Sequence, residues 1–175
     1  DAARQLTELG VQQATAARGW YGELGCGGTV LSSLAVRCQR TAQVVSGNDS
    51  LDIVVVDAIY SQPADVEAMF DKLRYAPLST YFAEVPEAPA ALDRVAEAIL
   101  DEAATKAAVL PKTKTLAIFG HAIYSNACAR LLSSSLGVPE DQIRALEGVN
   151  LGEAEGFRVS AEGDGFVVRH MSTTV

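Results

Sequence analysis

The chain has little of what reactive centres are usually built from. Only two of its 175 residues are histidine, His121 and His170, so any imidazole chemistry must use one or both. The three cysteines, Cys26, Cys38 and Cys128, are odd in number and lack metal-type spacing. They argue against a zinc site and a disulfide framework, and read as reduced thiols of a soluble protein in a cytosol-like or organelle-matrix compartment. Aromatic residues make up 6% of the chain, which leaves Ala, Val, Leu and Ile to fill the core. No Lys/Arg cluster offsets the net charge of −8, and the pI is near 4.7, against the expectation for a nucleic-acid surface. A phosphate ligand would need a small positive pocket inside a negative protein. No apolar run reaches transmembrane length. No signal peptide or initiator methionine opens the chain, so the start at Asp1 is expected to mark a processed form or a fragment.

What is present is an alternation of helical and strand patterns. With 49% hydrophobic residues the chain can bury a real core, and residues 1–175 read as one domain. Leu6 to Arg18 reads as a helix with Thr7 as its N-cap and Gly19 as its end. Trp20 to Gly28 reads as a Gly-rich loop, and Thr29 to Leu31 as a short buried strand. Ala35 to Val45 predicts a helix closed by Ser46-Gly47. Leu51 to Val56, LDIVVV, is β-branched and short, as a buried parallel strand should be. Ala64 to Leu73 follows Pro63 as a helix, and Arg74 to Pro89, with three prolines, reads as an excursion. Ala90 to Ala108 is the longest helix. Leu116 to Phe119 is an apolar run that stops at Gly120-His121, and a helix to Leu136 begins almost at once. Phe157 to Ala161 and Phe166 to His170 alternate around Glu162-Gly163-Asp164-Gly165, a hairpin signal. The sum is α/β: a three-layer sandwich around a mostly parallel sheet, with a C-terminal β-hairpin.

A strand ending in His121 and feeding a helix places that imidazole at the carboxyl edge of the sheet, where open α/β folds bind ligands. Arg37, on the first turn of the helix after the Thr29 strand, belongs to the same edge. A guanidinium fork matches phosphate oxygens, and the helix N-terminus adds backbone donors. The Gly22 to Gly28 run, GELGCGG, lacks the Gly-Lys-Ser/Thr ending of a nucleotide loop. Cys26 stands far in sequence from any histidine. No metal constellation and no cofactor site is expected.

Three segments in order resemble the histidine phosphatase superfamily, with its phosphoglycerate mutase-like fold. Leu6-Thr7-Glu8-Leu9-Gly10, followed by Gln12-Gln13-Ala14, looks like the family's LTExGxxQA helix start. Ser33-Leu34-Ala35-Val36-Arg37 with Thr41-Ala42 is similar to its SxLxRxxxTA segment, and Gly120-His121-Ala122 to its second-histidine motif. The resemblance implies that Arg37 and His121 bind a phosphoryl group and that His121 stabilises charge during transfer. Family members open with a strand running into Arg-His-Gly, whose histidine becomes phosphorylated. Here only Asp1 to Gln5 precede the LTELG segment, and the sheet should have a gap at its centre.

Three readings of that departure stay open. The protein starts upstream of this chain. Or Phe166-Val167-Val168-Arg169-His170 supplies the strand by circular permutation, with His170 the nucleophile, Arg169 a phosphate ligand and Met171 where glycine is usual. Or that segment is an edge hairpin and the chain has no nucleophile. The family's carboxylate acid also lacks an obvious counterpart. The segment Asp57-Ala58-Ile59-Tyr60 resembles that of smaller members without the acid, which would favour substrates with good leaving groups. The expectation is a non-catalytic, phosphate-pocket-bearing domain acting as an accessory subunit of a larger assembly. The alternative is an active phosphohydrolase for small phosphorylated molecules.

Overall fold

In the computed structural model, residues 2–26, 28–61, 63–111 and 115–172 are described. Helix α1, Glu8–Ala16, starts at Thr7, whose Oγ1 accepts the Gly10 N–H at 3.0 Å. This is the cap its sequence predicts. The chain does not then open into a loop. Arg18–Glu23 form a second short helix, α2, because Trp20 and Tyr21 pack against Ala17, Val44 and Val45. That tertiary contact overrides the two glycines of the segment.

Strand β1, Thr29–Ser32, leads to α3, Val36–Ser46, which Gly47 closes at φ 68° in the left-handed region. Strand β2, Asp52–Val55, ends in a 3-10 turn, Asp57–Tyr60. Helices α4 (Ala64–Leu73), α5 (Leu78–Glu84) and α6 (Ala88–Ala107) follow. The supposed excursion therefore carries a helix. Its Tyr81 is fully buried in the core and donates its hydroxyl hydrogen to the Arg74 carbonyl at 2.6 Å. Phe82 lies beneath the Arg130 guanidinium, 5.1 Å from ring centroid to Cζ. Strand β3, Ile118–Phe119, feeds α7, Ala122–Ser135. Helix α8, Glu140–Glu147, precedes the hairpin strands β4 (Gly156–Glu162) and β5 (Gly165–Met171).

Strands β2, β1 and β3 lie in that order, all parallel, with Leu31 beside Val54 on one side and Ile118 on the other. Successive side chains of β1 face opposite ways. Val30 joins Ala42 and Leu51 on the α3 side. Leu31 enters the main core with Ile59, Leu92, Ile99 and Tyr124 on the α6–α7 side. This makes the three layers that the pattern predicts. Each such fully buried aliphatic side chain contributes about 1.5–3 kcal/mol of transfer free energy.

The hairpin strands pair only with each other, so the outer edge of β3 meets no described strand. Leu31 N–H donates to the Ala117 carbonyl and Ser33 N–H to that of Phe119, both at 2.9 Å. By the alternation of a parallel ladder, the peptide groups of Ile118 turn away from β1. The apolar run that reads as a buried strand is therefore partly uncovered, with Leu116 39% and Ile118 40% exposed. Among the described residues no helix is long and apolar enough to cross a membrane.

Candidate functional site

Two chain turns build the site at the carboxyl edge of the sheet. After β1 the chain passes Ser33 to Ala35 and starts α3, so Arg37 lies in that helix's first turn. After β3 it passes Gly120, and His121 is the N-cap residue of α7. Because β1 and β3 are neighbours, these turns meet. Arg37 Nη2 lies 3.4 Å from His121 Nδ1, and Ser33 Oγ lies 3.2 Å from its Nε2.

The surroundings hold the imidazole in place. Ser33 is fully buried, and its Oγ accepts the Ala35 N–H at 3.2 Å. The buried Cys38 thiol donates to the Gly120 carbonyl at 3.3 Å and sits 3.9–4.0 Å from both ring nitrogens. Tyr60, on the 3-10 turn, tilts against the ring with centroids 5.6 Å apart. Gly120 is needed for this fit, since a Cβ there would stand 2.9 Å from Ile59 Cγ2.

Burial, reinforced by the Arg37 charge, pushes the His121 pKa down from 6.5 to about 4. The ring is therefore neutral at neutral pH. Burial likewise pushes the Cys38 thiol up to about 11, against the opposing pull of Arg37. The result is a small cationic edge with one neutral imidazole and two helix N-termini, α3 and α7, suited to an oxyanion.

The other residues singled out from sequence lie elsewhere. His170 is on β5, opposite Phe157 of β4, with Nε2 3.1 Å from the Glu155 carboxylate. Arg169 Nη2 donates to Glu162 Oε2 at 2.7 Å across the same hairpin. Asp57 is exposed, and its backbone N–H is held by the Glu102 carboxylate at 3.0 Å. Cys26 lines a cavity of about 330 Å³ with Arg18, Tyr21, Asn48 and Leu51. This cavity is at the amino end of the sheet, away from His121, and burial raises the Cys26 pKa. Ser33 carried a motif signal, but Cys38 and Tyr60 gave no sign in the sequence of a contact with His121.

No protein-family model and no curated protein matches the chain. Solved structures do. The chain is similar to an Escherichia coli K-12 protein described as an alpha-ribazole-5'-P phosphatase, with 14% identity and a TM-score of 0.59 over 98% of this chain and 85% of that one. It is also similar to a mycobacterial glucosyl-3-phosphoglycerate phosphatase, with 19% identity and a TM-score of 0.55 over 97% of this chain and 87% of that one. The complex of that phosphatase with inorganic phosphate gives 18% identity and a TM-score of 0.54, over 98% and 87%. These structural neighbours are members of the histidine phosphatase superfamily, and the chain has their phosphoglycerate mutase-like fold.

Proposed function

We propose that this chain binds a phosphoryl group against Arg37 and His121 without turning it over, and serves as an accessory domain of a larger assembly. The observation that carries the reading is the meeting of the Arg37 guanidinium and the His121 imidazole, 3.4 Å apart, at the N-termini of α3 and α7. Arg37 supplies forked donors and fixed charge. His121 supplies a polarisable nitrogen, and the helix ends add backbone amides. The position of the second imidazole supports the part of this reading that has no turnover. A covalent route needs a histidine facing His121 across one phosphoryl group, and His170 instead binds Glu155 on the hairpin.

A second reading, an active phosphohydrolase working through phosphohistidine, draws on the phosphatase activity in the neighbours' descriptions. Its nucleophile would be His170 or a histidine outside this sequence. One experiment separates the two. Inorganic phosphate is titrated against the chain by calorimetry, and turnover of p-nitrophenyl phosphate is assayed on the same sample. Saturable binding with no turnover, lost in Arg37→Ala and in His121→Ala, is the expected result. Turnover that disappears in His170→Ala establishes the second reading. An absence of both binding and turnover overturns both.

A further inference from the structure

The cavity of about 330 Å³ that Cys26 lines is walled by α2, the end of α3 and the chain just before β1 and β2. Its size is at the lower end of the range for small-molecule sites, and a void of about 150 Å³ already admits benzene. Three wall positions, Gly22, Gly25 and Gly28, carry no side chain, and a Cβ at any of them would meet no atom within 4 Å. A flat group can therefore approach the backbone closely there. Val45, Leu51 and the buried Tyr21 supply apolar surface.

The polar groups of the wall are donors. Arg18 donates its Nε hydrogen to the Val44 carbonyl at 2.7 Å, which fixes the guanidinium, and its Nη groups meet no acceptor among the described residues. Asn48 Oδ1 accepts the Ser50 N–H at 3.0 Å, which leaves the Nδ2 hydrogens to donate. Ser46 Oγ already accepts the Asn48 N–H at 3.3 Å and donates to the Gln43 carbonyl at 3.1 Å. The Tyr21 hydroxyl is buried without a hydrogen-bond partner among the described residues, an uncommon state for a buried donor. Burial raises the pKa of both Tyr21 and Cys26, so each keeps its hydrogen. Among the described residues the lining holds one guanidinium and no carboxylate, in a chain of net charge −8.

We propose that this cavity is a second ligand site, separate from the phosphate site, which takes a small planar carboxylate. The carboxylate oxygens lie against Arg18 and Asn48, where a guanidinium fork matches them with two parallel hydrogen bonds. The flat apolar body lies along the glycine backbone and against Val45 and Leu51. A single aromatic ring bearing one carboxylate has the size and the charge that the wall calls for. Such a ligand ties α2 to the end of α3 and to the start of β1, so its binding stabilises the folded chain by mass action.

The test is a titration of the 15N-labelled chain with benzoate near neutral pH, beside benzamide, which has the same shape and no charge. Benzoate should give saturable shifts of the Gly22, Gly25 and Gly28 amides and leave that of His121 in place. Benzamide should bind at least about threefold more weakly, the loss of one partly exposed charge pair. Gly28→Leu places a side chain in the open space at the wall, at a position whose backbone tolerates one, and should abolish the benzoate shifts. Four results each overturn the inference: no saturable shift, shifts centred on His121, equal binding of benzamide, or benzoate binding retained in Gly28→Leu. If Gly28→Leu does not fold, the place of the shifts and the ratio of benzoate to benzamide affinity in the unsubstituted protein decide.

Discussion

The Glu102 carboxylate accepts the backbone N–H of Ala58, 44 positions away in the chain, at 2.8 Å. Its other oxygen accepts the Asp57 N–H at 3.0 Å and binds Lys106 Nζ at 2.8 Å. The long helix α6 is thereby fastened to the turn that follows β2 and carries Tyr60 to His121. Burial pushes the Glu102 pKa up, but the Lys106 hydrogen bond and the two amides outweigh it and leave the value lowered. Glu102→Ala should cost about 1–2 kcal/mol by stranding these donors, read as a lower urea midpoint. Glu102→Gln should keep part of that stability. Because the folded value is depressed, the contribution is complete above the ordinary value of 4.5 and is lost as pH falls through the lowered one.

His121 acts in a different pH window. Its pKa is lowered in the folded state from 6.5 to about 4, so in that interval the unfolded chain binds more protons. Stability should fall as pH drops from 6.5 towards 4. Above 6.5 the group has no effect on the pH dependence. His121→Gln should remove the slope across that interval. Thermal midpoints at half-unit pH steps read this directly, and a His121→Gln profile parallel to that of the unsubstituted protein would contradict it.

Gly120 links core and site. Adding its Cβ forces contact with Ile59 Cγ2, a branch-point methyl of a side chain only 1% exposed, which cannot rotate clear. Gly120→Ala should destabilise the fold by about 1–3 kcal/mol. It should also weaken phosphate binding more than an equal loss at a distant core position does, because His121 is the next residue. Paired urea and phosphate titrations of Gly120→Ala and Val66→Ala make the comparison.

His170 provides a control on the hairpin. Its contacts are Glu155 and the Phe157 ring, 5.7 Å away between centroids. Its loss should change stability by less than about 1 kcal/mol and leave phosphate affinity unchanged. A clear loss of binding in His170→Ala would bring the hairpin into the site.

The sequence reveals elements whose signals are local. Thr7 caps α1, Gly47 ends α3, Pro63 precedes α4, and the alternation around Gly163 predicts the β4–β5 turn. Elements that depend on tertiary support are harder to read. In α2 two aromatics anchor six residues against α3. In α5 the prolines that read as breakers fall where helices tolerate them, with Pro77 at an N-cap and Pro89 just inside the start of α6. Helix α8 buries only Ile143 and Leu146, too short a stripe to stand out. The pairing of Arg37 with His121 follows from their places at strand ends. The Ser33–His121 contact does not, because it spans 88 positions and exists only once β1 and β3 lie side by side.

The uncovered edge of β3 sets neighbouring backbone amides on different clocks. The Leu31 amide is closed into the ladder at Ala117 and lies in the core, so its hydrogen should exchange with solvent deuterium only when the sheet itself opens. The Ile118 amide, one strand away and turned outward, has no described strand to shield it and should exchange far sooner. Any segment that docks along β3 would slow Ile118 and leave Leu31 as it was, which makes this one amide a reporter of whether the edge is occupied.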